Sequence, residues 1–131
     1  MQPFANLRVL DFTTLLPGPF ATMYLADWGA EVVRVESPDR VDLSRETPPF
    51  VNGTSTTHAF LNRSKKSLFL DLKDKASCEQ VRAMVRDFDV VIEQFRPGVM
   101  AKFGLDYASL SKINPRLVYC SLTGYGQTGA Y

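Results

Sequence analysis

The chain has 131 residues, of which 45% are hydrophobic and 22% are charged, so it is long enough for one globular domain and too short for two. Fifteen basic residues against fourteen acidic ones give a net charge of +1, and this balance excludes an overall field that would collect nucleic acid or an anionic membrane. No apolar run approaches the roughly 20 residues of a membrane span, and the first residues lack the order of a signal peptide. These features predict a cytoplasmic protein without nucleic-acid or membrane partners.

Five short apolar runs predict strands at residues 7–12, 31–36, 67–72, 89–93 and 116–122. In three of the intervals between these strands, apolar residues recur at helical spacing. Residues 19–28 form a helix that ends at Gly29, a second helix begins after Asp74, and a third lies in two pieces around Gly104. This alternation predicts an α/β fold with a mostly parallel sheet and helices on both faces.

Residues 37–66 interrupt the alternation with three prolines, Gly53 and no clear period. A loop of this length is uncommon in a compact domain unless it covers a ligand or stays mobile. Its end, residues 62–66, concentrates three positive charges, which indicate either a phosphate site or a solvated turn. Because this run precedes a strand, it belongs at the amino edge of a parallel sheet unless the segment folds back.

The loops that follow the strands meet at the carboxyl edge, where open parallel sheets bind ligands. Residues 94–98 are the most informative, because Phe95 offers a face for a base and Arg96 a guanidinium for a phosphate. A core phenylalanine and a solvated arginine are the alternative. The glycine fingerprint of dinucleotide folds is missing, since Gly18 stands alone in the first loop, and Glu36 is then expected to face solvent.

The residues show no complete catalytic set. His58, the only histidine, is predicted to lie at the surface, and Cys78 and Cys120 are predicted to be small core residues without metal-type spacing. The carboxylates form no close pair that would divide acid from base roles. We therefore predict neither a metal site nor catalysis by this chain alone.

Seven ordered stretches together resemble the family III coenzyme A (CoA) transferases, which include formyl-CoA transferase, carnitine CoA-transferase and alpha-methylacyl-CoA racemase. The stretches are residues 7–12, 17–22, 25–36, 62–67, 95–99, 114–120 and 123–129. The resemblance implies that residues 1–131 are a Rossmann-like CoA-binding region, the N-terminal part of a longer chain that forms an interlocked homodimer. It also implies an acyl-CoA and a carboxylic acid as substrates.

In these transferases an aspartate attacks the donor thioester to give an aspartyl-CoA anhydride, whereas the racemases use a histidine and an aspartate to move the alpha proton. The resemblance places those residues downstream of Tyr131, so no aspartate of this chain is expected to be catalytic. Residues 41–45 are similar to a stretch of the racemases. A racemase of the same fold is therefore one alternative, and a nucleotide-binding module without catalysis is the other.

The resemblance also assigns CoA contacts. They are Leu15, Leu16, Lys65 or Lys66, Gln94, Phe95 and Lys102, with Arg96 beside them. Relatives have an arginine directly after the acid of the second strand, where this chain has Ser37, so Arg34 or Arg40 is expected to compensate. Leu16 replaces a glutamine of formyl-CoA transferase, which weakens the case for oxalate and formyl groups.

Overall fold

The computed structural model describes residues 2–130, and its main feature is a five-stranded parallel sheet. The strands in chain order are β1 (Arg8–Asp11), β2 (Glu31–Glu36), β3 (Phe50–Val51), β4 (Thr54–Ser55), β5 (Lys66–Phe69), β6 (Val90–Glu93) and β7 (Val118–Ser121). The sheet has the order β5-β2-β1-β6-β7, while β3 and β4 form a separate antiparallel hairpin. All five predicted strands are confirmed. The strand order reverses at β1, which is where open α/β sheets form a ligand crevice.

Helices cover both faces of the sheet, as the alternation predicts. They are α1 (Pro17–Asp27), α2 (Thr56–Leu61), α3 (Lys75–Met84), α4 (Val99–Lys102) and α5 (Tyr107–Leu110). Successive strand residues point to opposite faces, so Val9 packs in the core beneath α1 whereas Leu10 packs in the larger core beneath α3, α4 and α5. The two predicted pieces around Gly104 are confirmed as α4 and α5.

The first helix starts two residues earlier than predicted, because Pro17 occupies its first turn, where a missing N–H is not needed. Gly29, with φ of 100°, follows its end as predicted. Gly18 lies so close to the preceding loop that an added β-carbon would be 2.3 Å from the Cβ of Thr13. The absence of a side chain at Gly18 therefore lets α1 pack directly on that loop.

The segment of residues 37–66 contains short elements that its sequence did not predict: a 3-10 turn (Leu43–Glu46), the hairpin and α2. The prediction that His58 lies at the surface is wrong, since only 9% of this residue is exposed. Its Nδ1 atom lies 2.9 Å from the hydroxyl of Ser44 in a hydrogen bond, because α2 packs against the 3-10 turn. Residues 37–66 therefore form a folded segment, which covers the end of β2.

Two further expectations concern the cysteines and membrane insertion. Cys78 is buried in the core, as predicted, and Cys120 is half-buried in β7; both are free thiols. Among residues 2–130, no helix has the length and apolar character needed to cross a bilayer.

Candidate functional site

The loop between β1 and α1, residues 12–16, is fixed at three successive positions. Three hydrogen bonds join this loop to side chains of other elements: Thr13 N–H to Asp11 Oδ1 (2.8 Å), Gln94 Nε2 to the carbonyl of Thr14 (2.8 Å) and Leu15 N–H to Asp42 Oδ1 (3.3 Å). Leu15 has φ of 64°, in the left-handed region that a bulky residue disfavours. The side chains of Leu15 and Leu16 stay exposed. The loop is thus preorganised with two leucines presented to solvent.

A buried ion-pair network lies at the end of β2. The guanidinium of Arg34 pairs with Asp42 and, at 3.4 Å, with Glu36. Glu36 also accepts hydrogen bonds from Arg45 Nη2 (2.9 Å) and the hydroxyl of Ser67 (2.6 Å). The expectation that Glu36 faces solvent is wrong: the residue is 6% exposed, because residues 37–66 fold over it and bring Arg45.

Both acids of this network stay ionised near neutral pH. Burial alone would raise the pKa of Glu36, but hydrogen bonds from Ser67 and Arg45 and the charge of Arg34 bring that pKa below its ordinary value. Burial alone would also raise the pKa of Asp42. Hydrogen bonds from Ser44 and the charge of Arg34 outweigh burial, so the pKa of Asp42 lies below its ordinary value. The network therefore holds charge in a dry place by pairing it.

The basic run at the end of the segment contains two lysines with different surroundings. The Lys65 side chain is 1% exposed, and its ammonium donates to the carbonyl of Pro19 (2.8 Å) and lies 3.6 Å from Asp11 Oδ2. Burial lowers the pKa of Lys65 to about 8, although the Asp11 carboxylate acts against that shift. Lys66 is exposed and lies 2.6 Å from Glu31 Oε1.

Strand register explains how Lys65 reaches the carboxyl edge. Lys66, the first residue of β5, pairs with Val33, which itself pairs with Leu10 near the end of β1. Strand β5 therefore begins level with the carboxyl half of β1, and the Lys65 side chain lies beside Asp11 rather than at the amino edge. The segment of residues 37–66 thus folds back, as the sequence analysis required for Lys65 to leave the amino edge.

A cleft of about 550 Å³ lies between the loops that follow β6 and β7. Its lining includes Gln94, Phe95, Arg96, Gly124 and Tyr125. A volume of this size falls within the range of small-molecule sites. The Oε1 atom of Gln94 is buried and accepts no hydrogen bond within residues 2–130, although the Nε2 atom donates to Thr14. The residues that line the cleft thus include an aromatic ring, a cation and a buried acceptor that lacks a donor.

The predicted CoA contacts differ in how far they can reach a ligand. The exposed ones are Leu15, Leu16, Arg40, Lys66, Arg96 and Lys102. Gln94 and Phe95 are half-buried at the cleft, and Phe95 also packs on the core. Arg34 and the side chain of Lys65 are enclosed by their partners. The structure therefore brings Leu15, Leu16, Gln94, Phe95 and Arg96 to the carboxyl edge. It keeps Arg34 and Lys65 inside and directs the Lys66 ammonium to Glu31 at the amino edge.

Two supporting residues were not predicted from the sequence, Asp42 and Asp11. Asp42 precedes the 3-10 turn and accepts from Ser44 N–H, a capping pattern that was available as a local signal. Asp11 is fully buried and accepts hydrogen bonds from Thr13 and Thr22. The bond from the Thr13 N–H, two residues on, is a local Asx-turn pattern, whereas no local pattern indicates the bond from Thr22. In the part of the chain that the structure describes, no group of three or more His, Cys, Asp or Glu side chains is arranged for a metal ion.

Comparison with known sequences gives a consistent set of relatives. The model of CoA-transferase family III matches residues 4–131. Succinyl-CoA:glutarate CoA-transferase of Mus musculus is 46% identical over 130 residues, which are 98% of this chain and 30% of the relative. Acetyl-CoA:oxalate CoA-transferase of Acetobacter aceti is 46% identical over 127 residues, covering 97% of this chain and 33% of that protein.

Solved structures agree with the sequence matches. A CaiB/BaiF family protein from Brucella suis superposes with a TM-score of 0.92 at 41% identity, covering 99% of this chain and 35% of that one. The protein Rv3272 from Mycobacterium tuberculosis gives a TM-score of 0.90 at 40% identity, covering 99% and 36%. The chain spans about a third of the length of the relatives it matches. Since the family model matches residues 4–131, the chain belongs to CoA-transferase family III.

Proposed function

We propose that this chain binds CoA at the carboxyl edge of its sheet, as part of an enzyme that moves CoA between an acyl-CoA and a carboxylic acid. The observation that carries the proposal is the cleft, where the Phe95 ring and the unpartnered Gln94 Oε1 lie beside the fixed β1–α1 loop. CoA has a base that stacks on aromatic rings, amide N–H groups that need acceptors and phosphates that need cations. The lining of the cleft includes one residue of each kind, Phe95, Gln94 and Arg96.

Exposed cations support a phosphorylated ligand, and two of them, Arg40 and Arg96, follow β2 and β6 at the carboxyl edge. Arg40, Lys66, Arg96 and Lys102 are all exposed. Of the two arginines expected to compensate for the missing arginine at position 37, we retain Arg40, because the Arg34 side chain is buried between two carboxylates. We likewise retain Lys66 rather than Lys65 as the phosphate contact, because the Lys65 side chain is enclosed. The Lys66 ammonium, which pairs with Glu31 at the amino edge, then has to turn from Glu31 towards the ligand.

Transfer is favoured over racemisation because the two curated relatives described above are named CoA-transferases. One is named for glutarate and the other for oxalate at the same 46% identity, so we propose the acceptor as a carboxylic acid without choosing between them. Following the family resemblance, we propose that the nucleophilic aspartate lies downstream of Tyr131.

The proposal extends to a homodimer in the cytoplasm. Helix α1 and the residue that follows it expose Phe20, Tyr24 and Trp28 at four-residue steps, with successive ring centroids 5.0 and 6.4 Å apart. An exposed apolar stripe of this kind is typical of a protein contact. Free cysteines agree with a reducing compartment. Sedimentation at increasing concentration tests the dimer, and Tyr24→Lys is expected to shift the chain towards the monomer.

Calorimetric titration of the purified chain with CoA tests the binding site, with NAD as the comparison ligand. We expect CoA to bind and NAD to bind far more weakly, because the first loop lacks the glycine fingerprint. Phe95→Ala is expected to weaken CoA binding about 10-fold, which corresponds to the loss of one stacking contact. Phe50→Ala removes an exposed ring in the hairpin and is the control, with affinity unchanged. Equal affinity for CoA and NAD, or equal losses in the two variants, refutes the proposal.

A further inference from the structure

We infer that Asp42 is a positioning residue for the CoA site, because its carboxylate holds the backbone of Leu15 in the conformation that presents Leu15 and Leu16 to the ligand. The inference rests on the proposed function, since the two leucines act as contacts only where CoA lies at this edge. No contact between Asp42 and CoA is required. The residue acts through the loop.

The two oxygens of Asp42 have separate partners. Oδ1 accepts the N–H of Leu15 at 3.3 Å and the N–H of Ser44 at 2.9 Å, whereas Oδ2 faces the guanidinium of Arg34. Asp42 is 4% exposed, so these bonds are shielded from water. One oxygen therefore fixes backbone and the other balances a buried charge.

The conformation of Leu15 is the reason that a tether is needed. A φ of 64° brings the β-carbon of an L-residue too close to the following carbonyl, and such a residue persists where its surroundings fix it. Here the surroundings are two bonds from opposite sides, since Gln94 holds the carbonyl of Thr14 while Asp42 holds the next N–H. Both side chains come from outside the loop. The ligand edge is thus preorganised before CoA arrives, which raises affinity.

Two substitutions separate the functions of the two oxygens. Asp42→Asn keeps a carbonyl oxygen for the N–H groups but loses the charge beside Arg34, whereas Asp42→Ala loses both. We expect urea to unfold both variants more easily than the wild type. Affinity for CoA is expected to fall about 10-fold in Asp42→Ala and to stay within about 2-fold of the wild type in Asp42→Asn. A purely structural role predicts instead that affinity follows stability in both.

The matched control is Asp89→Ala. Like Asp42, Asp89 accepts a backbone N–H through one carboxylate oxygen. Its Oδ2 accepts the N–H of Arg8, the first residue of β1, at 2.9 Å, but at the opposite edge of the sheet. This variant is expected to lose stability and to bind CoA as the wild type does.

Nuclear magnetic resonance gives a readout that does not depend on CoA. The distance between the amide proton and Hα of Leu15 is shorter at positive φ than at negative φ, and we expect the short distance in the wild type and in Asp42→Asn. We expect the longer distance in Asp42→Ala. If the wild-type chain does not bind CoA, the proposed function fails and the Leu15 distance still decides whether Asp42 is the tether. The inference is overturned if Leu15 keeps positive φ in Asp42→Ala, or if both variants lose the same affinity. Where Asp42→Ala does not fold, negative φ at Leu15 in Asp42→Asn overturns it.

Discussion

Replacing Lys65 and Lys66 separately by methionine distinguishes a lysine that supports the fold from one that binds phosphate. The Lys65 side chain is 1% exposed and its ammonium is enclosed by Pro19, Asn62 and Asp11. The Lys66 side chain is 70% exposed and pairs with Glu31 at the surface. We therefore expect Lys65→Met to change stability and its pH dependence, and Lys66→Met to change affinity for CoA.

The pH dependence follows from the pKa of Lys65, which burial lowers to about 8 in the folded chain. In the unfolded chain a lysine keeps its proton up to about pH 10.4. Between these values the unfolded state binds a proton that the folded state has released, so the free energy of unfolding rises with pH. The rise from pH 7 to pH 9 is about 1 kcal/mol. Lys65→Met removes this contribution, so the stability of the wild type relative to the variant increases by that amount over the same range.

The effect on ligand binding is expected at Lys66 alone. An exposed ammonium that contacts a phosphate contributes about 1 kcal/mol, so Lys66→Met is expected to weaken CoA about 5-fold. The affinity for dephospho-CoA, which lacks the extra phosphate, is expected to fall less in Lys66→Met. In Lys65→Met the ratio of the two affinities stays at its wild-type value.

Urea unfolding at pH 7, 8 and 9 measures the first effect, and calorimetry with CoA and dephospho-CoA measures the second. Wild type, Lys65→Met and Lys66→Met are compared in both assays, so each lysine is the control for the other. The reasoning is refuted if Lys65→Met weakens CoA more than dephospho-CoA and keeps the wild-type pH dependence. That result would place Lys65 on the phosphate.

Two other substitutions test the loop and its cover. Gly18→Ala forces a β-carbon against Thr13, so we expect it to lower the free energy of unfolding by about 1 to 3 kcal/mol, whereas Gly124→Ala, whose β-carbon meets nothing within 4 Å, leaves it unchanged. Urea titration of the two variants checks this, and equal stability would show that the close approach is not needed. Burial lowers the pKa of His58, so the unfolded chain takes up its proton first and stability falls as the pH drops through about 6.5. His58→Asn, measured by thermal unfolding between pH 7.5 and 5.5, is expected to lose less stability than the wild type; an identical loss in both would contradict the assignment.

The regular part of the fold could be predicted from the sequence because local period and burial coincide there. Val9 and Leu10 alternate between two cores, and each apolar run has one strand. The carboxyl edge then follows from parallel topology, which is why Gln94 and Phe95 were placed together with the first loop. The observed cleft beside these residues agrees with that placement.

The segment of residues 37–66 was not predictable in the same way. Its elements are too short for a period to show, and they are held by polar contacts between residues far apart in sequence. Glu36 was expected to face solvent because the glycine fingerprint is missing, and His58 because it lies in a polar loop. The partners that bury them, Arg45 and Ser44, become close only after folding. A one-dimensional pattern records which residues are polar, and it does not record which of them pair.

The site is consequently built by the irregular segment as much as by the sheet. The sheet supplies an edge with loops, whereas the segment supplies Asp42, which holds Leu15, and Lys65, which lies against Asp11. The Asp42–Leu15 contact is a hydrogen bond from a neutral N–H to a buried carboxylate, whereas the Lys65–Asp11 contact is a buried ion pair, so removing Lys65 leaves the Asp11 charge without its cation in a dry place. The backbone of the first loop therefore has one strongly favoured arrangement. A substitution in residues 37–66 that disturbs either contact is expected to change CoA binding at the carboxyl edge, even where the substituted side chain lies far from the ligand.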